Sequence, residues 1–455
     1  MRQGIRAVMG AGLAMGLAGL PAAAQGVSLP ASDPVGIARS GVQVAYGYSL
    51  EAAGANPALL ASLRDAHSAY LSAGLELQSS QVSLESNQKT WYSSDRNRGI
   101  AGFGAAFRVA PALTLGLKLD TPFQRHGEFA SDAANRFMGD RIDLSGRRLE
   151  AQAAWALTPA ISVGVGLGAT RLSFESGSAV RVGVPLDPTQ PASPANPVNG
   201  VAEQEIGETG AKTVPSYSLG FRWAISPRWT LGLAHQSGYR TDLGLSAAFR
   251  GGLSGVYAND GMSAALLGTA TRAATLLGLA TPVAGSGRLD LPSQTSIGMR
   301  QRVNSMITWE GDLRWTAAGL QVPGFAQLDT PSGTAVSPAT AARGKAHLGG
   351  GLSAEVELGK DWTLRAGAFL DQASVDEVQV DPLLGGTRLA TFSVGAGYRV
   401  WGGELSIGYQ YRQSKDQDVT TLDGVWSAAG FRATGSRTRL ESMGHLLAIG
   451  FKRSF

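Results

Sequence analysis

Five histidines, His67, His126, His235, His347 and His445, are the side chains that could relay a proton near neutral pH. A lipid-hydrolysing or acyl-transferring site would need one of them as a base beside a serine nucleophile. None stands in a recognisable nucleophile or metal-ligand spacing, and exposed or interfacial histidines are the plain reading of all five. The absence of cysteine from 455 residues removes thiolate metal sites and a disulfide scaffold. No metal and no cofactor are expected. A second chemistry belongs to the basic residues Arg171, Lys212, Arg222 and Arg365, which fall on or beside segments of alternating polarity. Outward placement of any of them would cost about 2–4 kcal/mol at mid-membrane depth, so they are inward or interfacial; an inward one could hold a carboxylate, with Arg171 the leading candidate. The net charge of +4 is too small and too dispersed to point to nucleic acid.

The elements that carry these side chains are not those of a soluble helical protein. The chain holds 61 glycines with only 16% charged residues, and its mean hydropathy is near zero. Helical periodicity is missing, as are repeated apolar runs of about 20 residues. Met1 to Gly26 opens with Arg2 and Arg6, continues through an apolar run and ends on Pro21-Ala22-Ala23-Ala24-Gln25. That is the build of a secretory signal cut after Ala24. A later Ala- and Leu-rich stretch, Met262 to Val283, is interrupted by Arg272 and Pro282 and reads as a loop helix.

One turn grammar recurs. Ala110-Pro111-Ala112-Leu113-Thr114-Leu115, Thr158-Pro159-Ala160-Ile161-Ser162-Val163, Ser226-Pro227-Arg228-Trp229-Thr230-Leu231 and Gly359-Lys360-Asp361-Trp362-Thr363-Leu364 each reverse tightly and then alternate. Asn304-Ser305 and Trp401-Gly402-Gly403 are two further tight turns. Ile161, Val163, Val165 and Leu167 interleave with Ser162, Gly164, Gly166 and Gly168, so one strand face is apolar and the other small or polar. Longer connections lie near 80–99, 122–143, 176–212, 248–285, 323–343, 379–386 and 419–438. Short and long connections alternate, which is the asymmetry of an outer-membrane barrel with brief periplasmic turns and longer external loops.

The expected fold is an all-β membrane protein, an antiparallel transmembrane β-barrel of roughly 14 strands over residues 67–455. A soluble sandwich or propeller would leave the one-sided loop lengths unexplained. Residues 25–66 fit no strand. Their small residues and glycines suit short helices and turns packed in a narrow lumen, as a plug.

Within that segment Gly36-Ile37-Ala38-Arg39-Ser40-Gly41, followed by Asn56-Pro57-Ala58, resembles the hatch of the FadL family, the bacterial outer-membrane transporters of long-chain fatty acids and other hydrophobic compounds. Thr121-Pro122-Phe123, at the end of the third strand, is similar to that family's Pro-aromatic pair. Leu289-Asp290-Leu291-Pro292 opening the eighth strand, Trp315-Thr316 in the ninth, and the terminal Phe455 extend the likeness over the mature chain. Gln124 departs from it, standing where the family tends to have Gly.

The resemblance implies passive uptake of hydrophobic small molecules, such as fatty acids, alkanes or aromatic hydrocarbons, by a monomer seated among outer-membrane lipid and lipopolysaccharide. It implies a lateral opening at a kink carried by Pro122 and Phe123, with Asn56, Pro57 and Ala58 packed nearby. Proline lacks a ladder donor and so suits a bend, although Pro122 could equally just end its strand. Leu266, Leu267, Leu276, Leu277 and Leu279 in the external loop Val256 to Val283 could capture an apolar ligand or merely cap the rim. A general diffusion porin and an outer-membrane lipid-modifying enzyme remain the rival readings.

Overall fold

The computed structural model describes residues 29, 31–46, 49–85, 88–93, 98–130, 133, 135–136, 139–185, 195, 198–257, 283–319, 327–328, 344–375, 380, 382–414, 417–420 and 437–455. The signal segment, and Leu266, Leu267, Leu276, Leu277 and Leu279 of the external loop, lie outside the described residues.

The strands in chain order are β1 (His67–Leu84), β2 (Lys89–Tyr92), β3 (Arg98–Ala110), β4 (Leu113–Glu128), β5 (Arg141–Ala156) and β6 (Ile161–Pro185). Next come β7 (Val198–Ala224), β8 (Trp229–Gln236), β9 (Tyr239–Tyr257), β10 (Val283–Leu291), β11 (Gln294–Arg302) and β12 (Ile307–Thr316). β13 (Gln327–Leu328), β14 (His347–Leu358), β15 (Trp362–Asp371), β16 (Leu389–Val400), β17 (Gly403–Ser414), β18 (Gln417–Thr420) and β19 (Arg437–Ser454) complete the sheet.

They close into an antiparallel barrel of 14 wall strands. Closure is made by the first and last strands, in register from Ser68 opposite Ser454 to Leu84 opposite Thr438. A closed ring has no free edge strand, the condition for strands to cross a bilayer. β8 and β9 are two parts of one wall strand, interrupted at 237–238, and β10 and β11 are two parts of the next, interrupted at Pro292-Ser293. Leu289 to Pro292 therefore straddles a break within the eighth wall strand instead of opening it.

The recurrent turn grammar marks the tight end of the barrel. The β16–β17 hairpin turns on Trp401 and Gly402, both at positive φ (53° and 72°), which matches the twist of the strands it joins. Outward-facing Leu115, Leu117, Leu119, Leu167, Leu313 and Val394 are exposed. Trp155, Trp223, Trp362 and Trp401 ring the tight-turn end, while Tyr217, Trp315 and Phe392 stand further up the wall. An apolar band between aromatic girdles is the exterior of an outer-membrane barrel.

Two expectations change. Pro122 does not end its strand, since β4 runs on to Glu128. The inner face is small and polar only in its lower half: β5 carries Arg148, Glu150 and Gln152 there and then Leu144 and Ile142, and β6 passes from Ser162 and Thr170 to Leu172 and Phe174, all buried.

Candidate functional site

The floor of the lumen is a plug held by the wall. Its elements are α1 (Pro34–Ala38) and two short 3-10 helices, Glu51–Gly54 and Pro57–Ser62. Asp33 caps α1 by accepting from the Gly36 amide at 2.7 Å. Beyond the helix the chain has no regular structure, so its amides need other acceptors. Carboxylates of β12 provide them: Gln43 and Val44 donate to Asp312 at 2.8 and 3.1 Å, and Ala45 donates to Glu310 at 2.7 Å. Arg39, fully buried, donates to the other oxygen of Glu310 at 2.8 Å, and the Tyr46 hydroxyl donates to Glu355 at 2.5 Å.

Asn56 ties the second half of the plug. Its amide donates to the Val44 carbonyl at 2.8 Å and to the Phe221 carbonyl of β7 at 3.0 Å, and its side-chain oxygen accepts from the Ala58 amide at 3.1 Å. Glycine in the wall permits this approach. A Cβ on Gly220 would lie 2.1 Å from Asn56 Oδ1, and one on Gly164 would lie 2.4 Å from the Ala58 nitrogen. Asn56-Pro57-Ala58 thus packs on β6 and β7 and not beside Pro122, where the resemblance had placed it. The plug residue at Pro122 is Leu29, whose amide donates to the Pro122 carbonyl at 3.2 Å.

Above the plug lies a polar cavity of about 70 Å³, lined in part by Leu29, Tyr70, Lys118, Pro122, Gln236 and Arg314. Asp120 and Arg148 on its wall form a two-pronged pair at 2.9 and 2.7 Å, with Lys118 Nζ 3.1 Å from Asp120. Here β4 changes course. Its ladder with β5 steps from Asp120 opposite Arg148 to Phe123 opposite Gly146, leaving one extra residue in the Thr121-Pro122 bulge. Its ladder with β3 stops at Phe103 opposite Leu119, although β3 continues on β1 to Arg98 and β4 continues on β5 to Glu128. Both faces of β4 from Phe123 to Gly127 are buried, so its outer half has turned into the lumen. Among the described residues the wall is consequently unpaired between the outer parts of β3 and β4.

Over the cavity the lumen becomes apolar. Val82, Phe123, Leu144, Phe174, Leu243 and Leu289 belong to one buried cluster drawn from strands around the ring. The external loop after β15 dips into it with Val375, Val380, Leu383 and Leu384. Phe123 forms the cluster's base together with Tyr239 of β9, ring centroids 5.4 Å apart and tilted by 59°. Gly146 makes room for it, since a Cβ there would come within 2.4 Å of the Phe123 ring. A packed apolar cluster filling the upper lumen (the chamber region), an aromatic pair, a break in the wall and a polar cavity over a plug thus follow one another down the barrel.

The basic residues are distributed differently from expectation. Arg171 is exposed on β6 between buried Thr170 and Leu172, so it points out of the barrel and is not placed to meet a ligand in the lumen. Lys212 is exposed and donates to the Asp242 carbonyl across the β7–β9 wall at 2.9 Å. Arg222 and Arg365 do face inward, at plug level, where Arg365 is paired with Glu355 and Glu404 at 2.8 and 2.7 Å. The chamber lining and the inward loop were missed from sequence. A usable signal was present in the switch from Gly and Ser to Leu and Phe along the inner face of β6, and in Leu383-Leu384 set between Pro382 and Gly385.

The sequence profile described as outer membrane protein transport protein (OMPP1/FadL/TodX) matches residues 15–455. Among solved structures, the fold is similar to a Pseudomonas aeruginosa FadL homologue (TM-score 0.71, 18% identity, 94% of this chain and 100% of that one). It is also similar to the Ralstonia pickettii toluene transporter TbuX (TM-score 0.60, 15% identity, 93% of this chain and 98% of that one). The Pseudomonas putida toluene transporter TodX aligns with TM-score 0.62 and 14% identity, over 93% of this chain and 98% of that one. No curated protein matches the sequence.

Proposed function

The chain belongs to the OMPP1/FadL/TodX family of outer-membrane transport proteins, and from that membership we propose passive, non-catalytic uptake of hydrophobic compounds, long-chain fatty acids among them, by a monomeric barrel. The external loop carrying Leu266, Leu267, Leu276, Leu277 and Leu279 captures the compound, the chamber takes it in, and it leaves sideways past Phe123 and Pro122 between β3 and β4. The observation that supports this route most is the coincidence, at one level, of the chamber's base with the end of the β3–β4 ladder. A plug tied to the wall by Glu310, Asp312 and Asn56 blocks the straight path below that level. Lateral release also spares an apolar solute its return to water: a molecule of about 200 Å² of apolar surface would lose roughly 5 kcal/mol on re-entering it.

The charges at the chamber's base favour a second reading of the cargo. Arg148 and Lys118 are engaged by Asp120, and Arg412 is paired with Glu76. A carboxylate arriving at any of these three cations would have to displace one already bonded, whereas a neutral hydrocarbon would not. Small neutral hydrocarbons are therefore the alternative to fatty acids.

The test is uptake of labelled fatty acids, alkanes and monoaromatic hydrocarbons by a strain lacking this protein, with and without the gene restored. Restoration should raise uptake of at least one apolar class and leave small sugars unchanged. Equal uptake of every apolar compound with and without the gene would sink the proposal, and sugar uptake that follows the gene would favour a diffusion porin.

A further inference from the structure

On the outside of the barrel, Arg147 of β5 and Arg171 of β6 stand directly opposite each other in the ladder. Both are exposed. Like charges in directly opposed cross-strand positions repel, and no hydrogen bond or ion pair to either guanidinium is found among the described residues. Carboxylates are close along the same strands, but Asp143 is taken by Arg98 and Glu175 by Arg141. The wall thus keeps two adjacent cations without a counter-charge of its own.

Their height identifies what could supply one. Below the pair on the same outward faces stand Leu149 and Leu167, 51% and 67% exposed, which belong to the lipid-facing band. Above it Ser145 opposes Ser173, and Thr213 of β7 lies beside Arg171. The pair therefore sits where the apolar band gives way to hydroxyls, on the side away from the tight turns. That is the outer boundary of the hydrocarbon, where an arginine is tolerated and where the phosphates of the outer leaflet's glycolipid lie. A guanidinium pair matches a phosphate in charge and in donor geometry, and basic clusters at a membrane boundary bind anionic head groups. Leu149 and Leu167 below would meet the acyl chains.

We propose that Arg147 and Arg171 form a docking site for a phosphate of lipopolysaccharide, placed beside the β4 bulge because Arg147 lies between Gly146 and Arg148, the residues that bracket Thr121-Pro122 across the ladder. The bound lipid would stand at the outer lip of the wall break.

The experiment uses the full-length protein extracted from its native outer membrane. Lipopolysaccharide retained per barrel is measured for the wild type and for an R147Q/R171Q variant, with heat-modifiable gel mobility confirming that each is folded. Retention should fall by about tenfold in the variant, as the loss of charge-assisted bonds implies. Delipidated protein is then titrated with diphosphorylated lipid A, with the same lipid after phosphatase treatment, and with inorganic phosphate, and the midpoint of heat-induced unfolding is read. Only the phosphorylated lipid should raise the wild-type midpoint. Equal retention by both proteins, an equal shift with the dephosphorylated lipid, or the same shift with inorganic phosphate alone would overturn the proposal. If the double variant fails to fold, the single variants R147Q and R171Q are measured in the same two ways, and retention and midpoint shift equal to the wild type in both would overturn the proposal.

Discussion

Asn56 shows how a single side chain can hold an internal plug in place. It is fully buried and bonds two carbonyls and one amide. In Asn56→Ala the Val44 carbonyl and the Ala58 amide stay buried without this partner, at about 1–3 kcal/mol each, whereas Phe221 keeps its place in the β6–β7–β8 ladder. Amide hydrogen exchange should then accelerate over residues 42–60 while the wall strands keep their protection; unchanged exchange in the plug would show that Asn56 does not anchor it. Gly220→Val should do the same from the wall side, because its side chain must occupy the place of Asn56 Oδ1. Phe123 makes a different prediction. Phe123→Ala removes one half of the aromatic pair under the chamber and should let bulkier hydrophobic compounds pass. Uptake measured against solute size is the check, and an unaltered size limit would mean that the ring does not gate. Asn56, Pro57 and Ala58 were visible in the sequence as a motif, but not the wall they touch. That contact depends on which strands carry glycine at plug height. Arg171 was legible only as inward or interfacial, because an outward arginine is costly at mid-membrane, by about 2–4 kcal/mol, but nearly free at the boundary; which of the two holds follows only from the register of the whole ring.

At the scale of the element, tight turns and outward alternation were legible because each is decided within a few residues, by Pro, Gly and a two-residue period. The β4 bulge is decided by two neighbours at once. Pro122 cannot donate to a ladder, yet the same residue in a fully paired strand could have been absorbed at its end, and sequence left that choice open. The structure has β5 following β4 through the bulge to Glu128 while β3 does not. Pro122→Ala restores a donor and removes the constraint on φ, so the outer half of β4 gains freedom to return toward β3. Uptake should slow severalfold while the barrel's unfolding temperature stays the same or rises, since pairing is added and none removed. Normal uptake with β4 still bent would argue against release at this break. The inward apolar residues were harder to read. Alternation predicts two faces but not that one of them changes character halfway, as β6 does between Thr170 and Leu172; that change reflects the vertical order of plug and chamber, which is a property of the assembled ring.

For the molecule as a whole, barrel and plug have separate sources of stability. The closing ladder between β1 and β19 is made without residues before His67, and Leu29, Ala31 and Ile37 only pack on it from inside, whereas the plug takes many of its hydrogen bonds from side chains of the wall. Deletion of residues 25–60 should therefore leave a folded, heat-modifiable barrel and turn it into an open pore. Glu310 and Asp312, now facing the plug amides and Arg39, would face water instead and stay charged at low cost, so the wall tolerates the loss. In planar bilayers the intact protein should conduct little and the deletion variant at least about tenfold more, approaching an open barrel of this size. A conductance equal to that of the intact protein would show that residues 25–60 are not what closes the pore, because the amides and the Arg39 guanidinium that now cover Glu310 and Asp312 would be gone and nothing else in that segment would remain to fill the lumen.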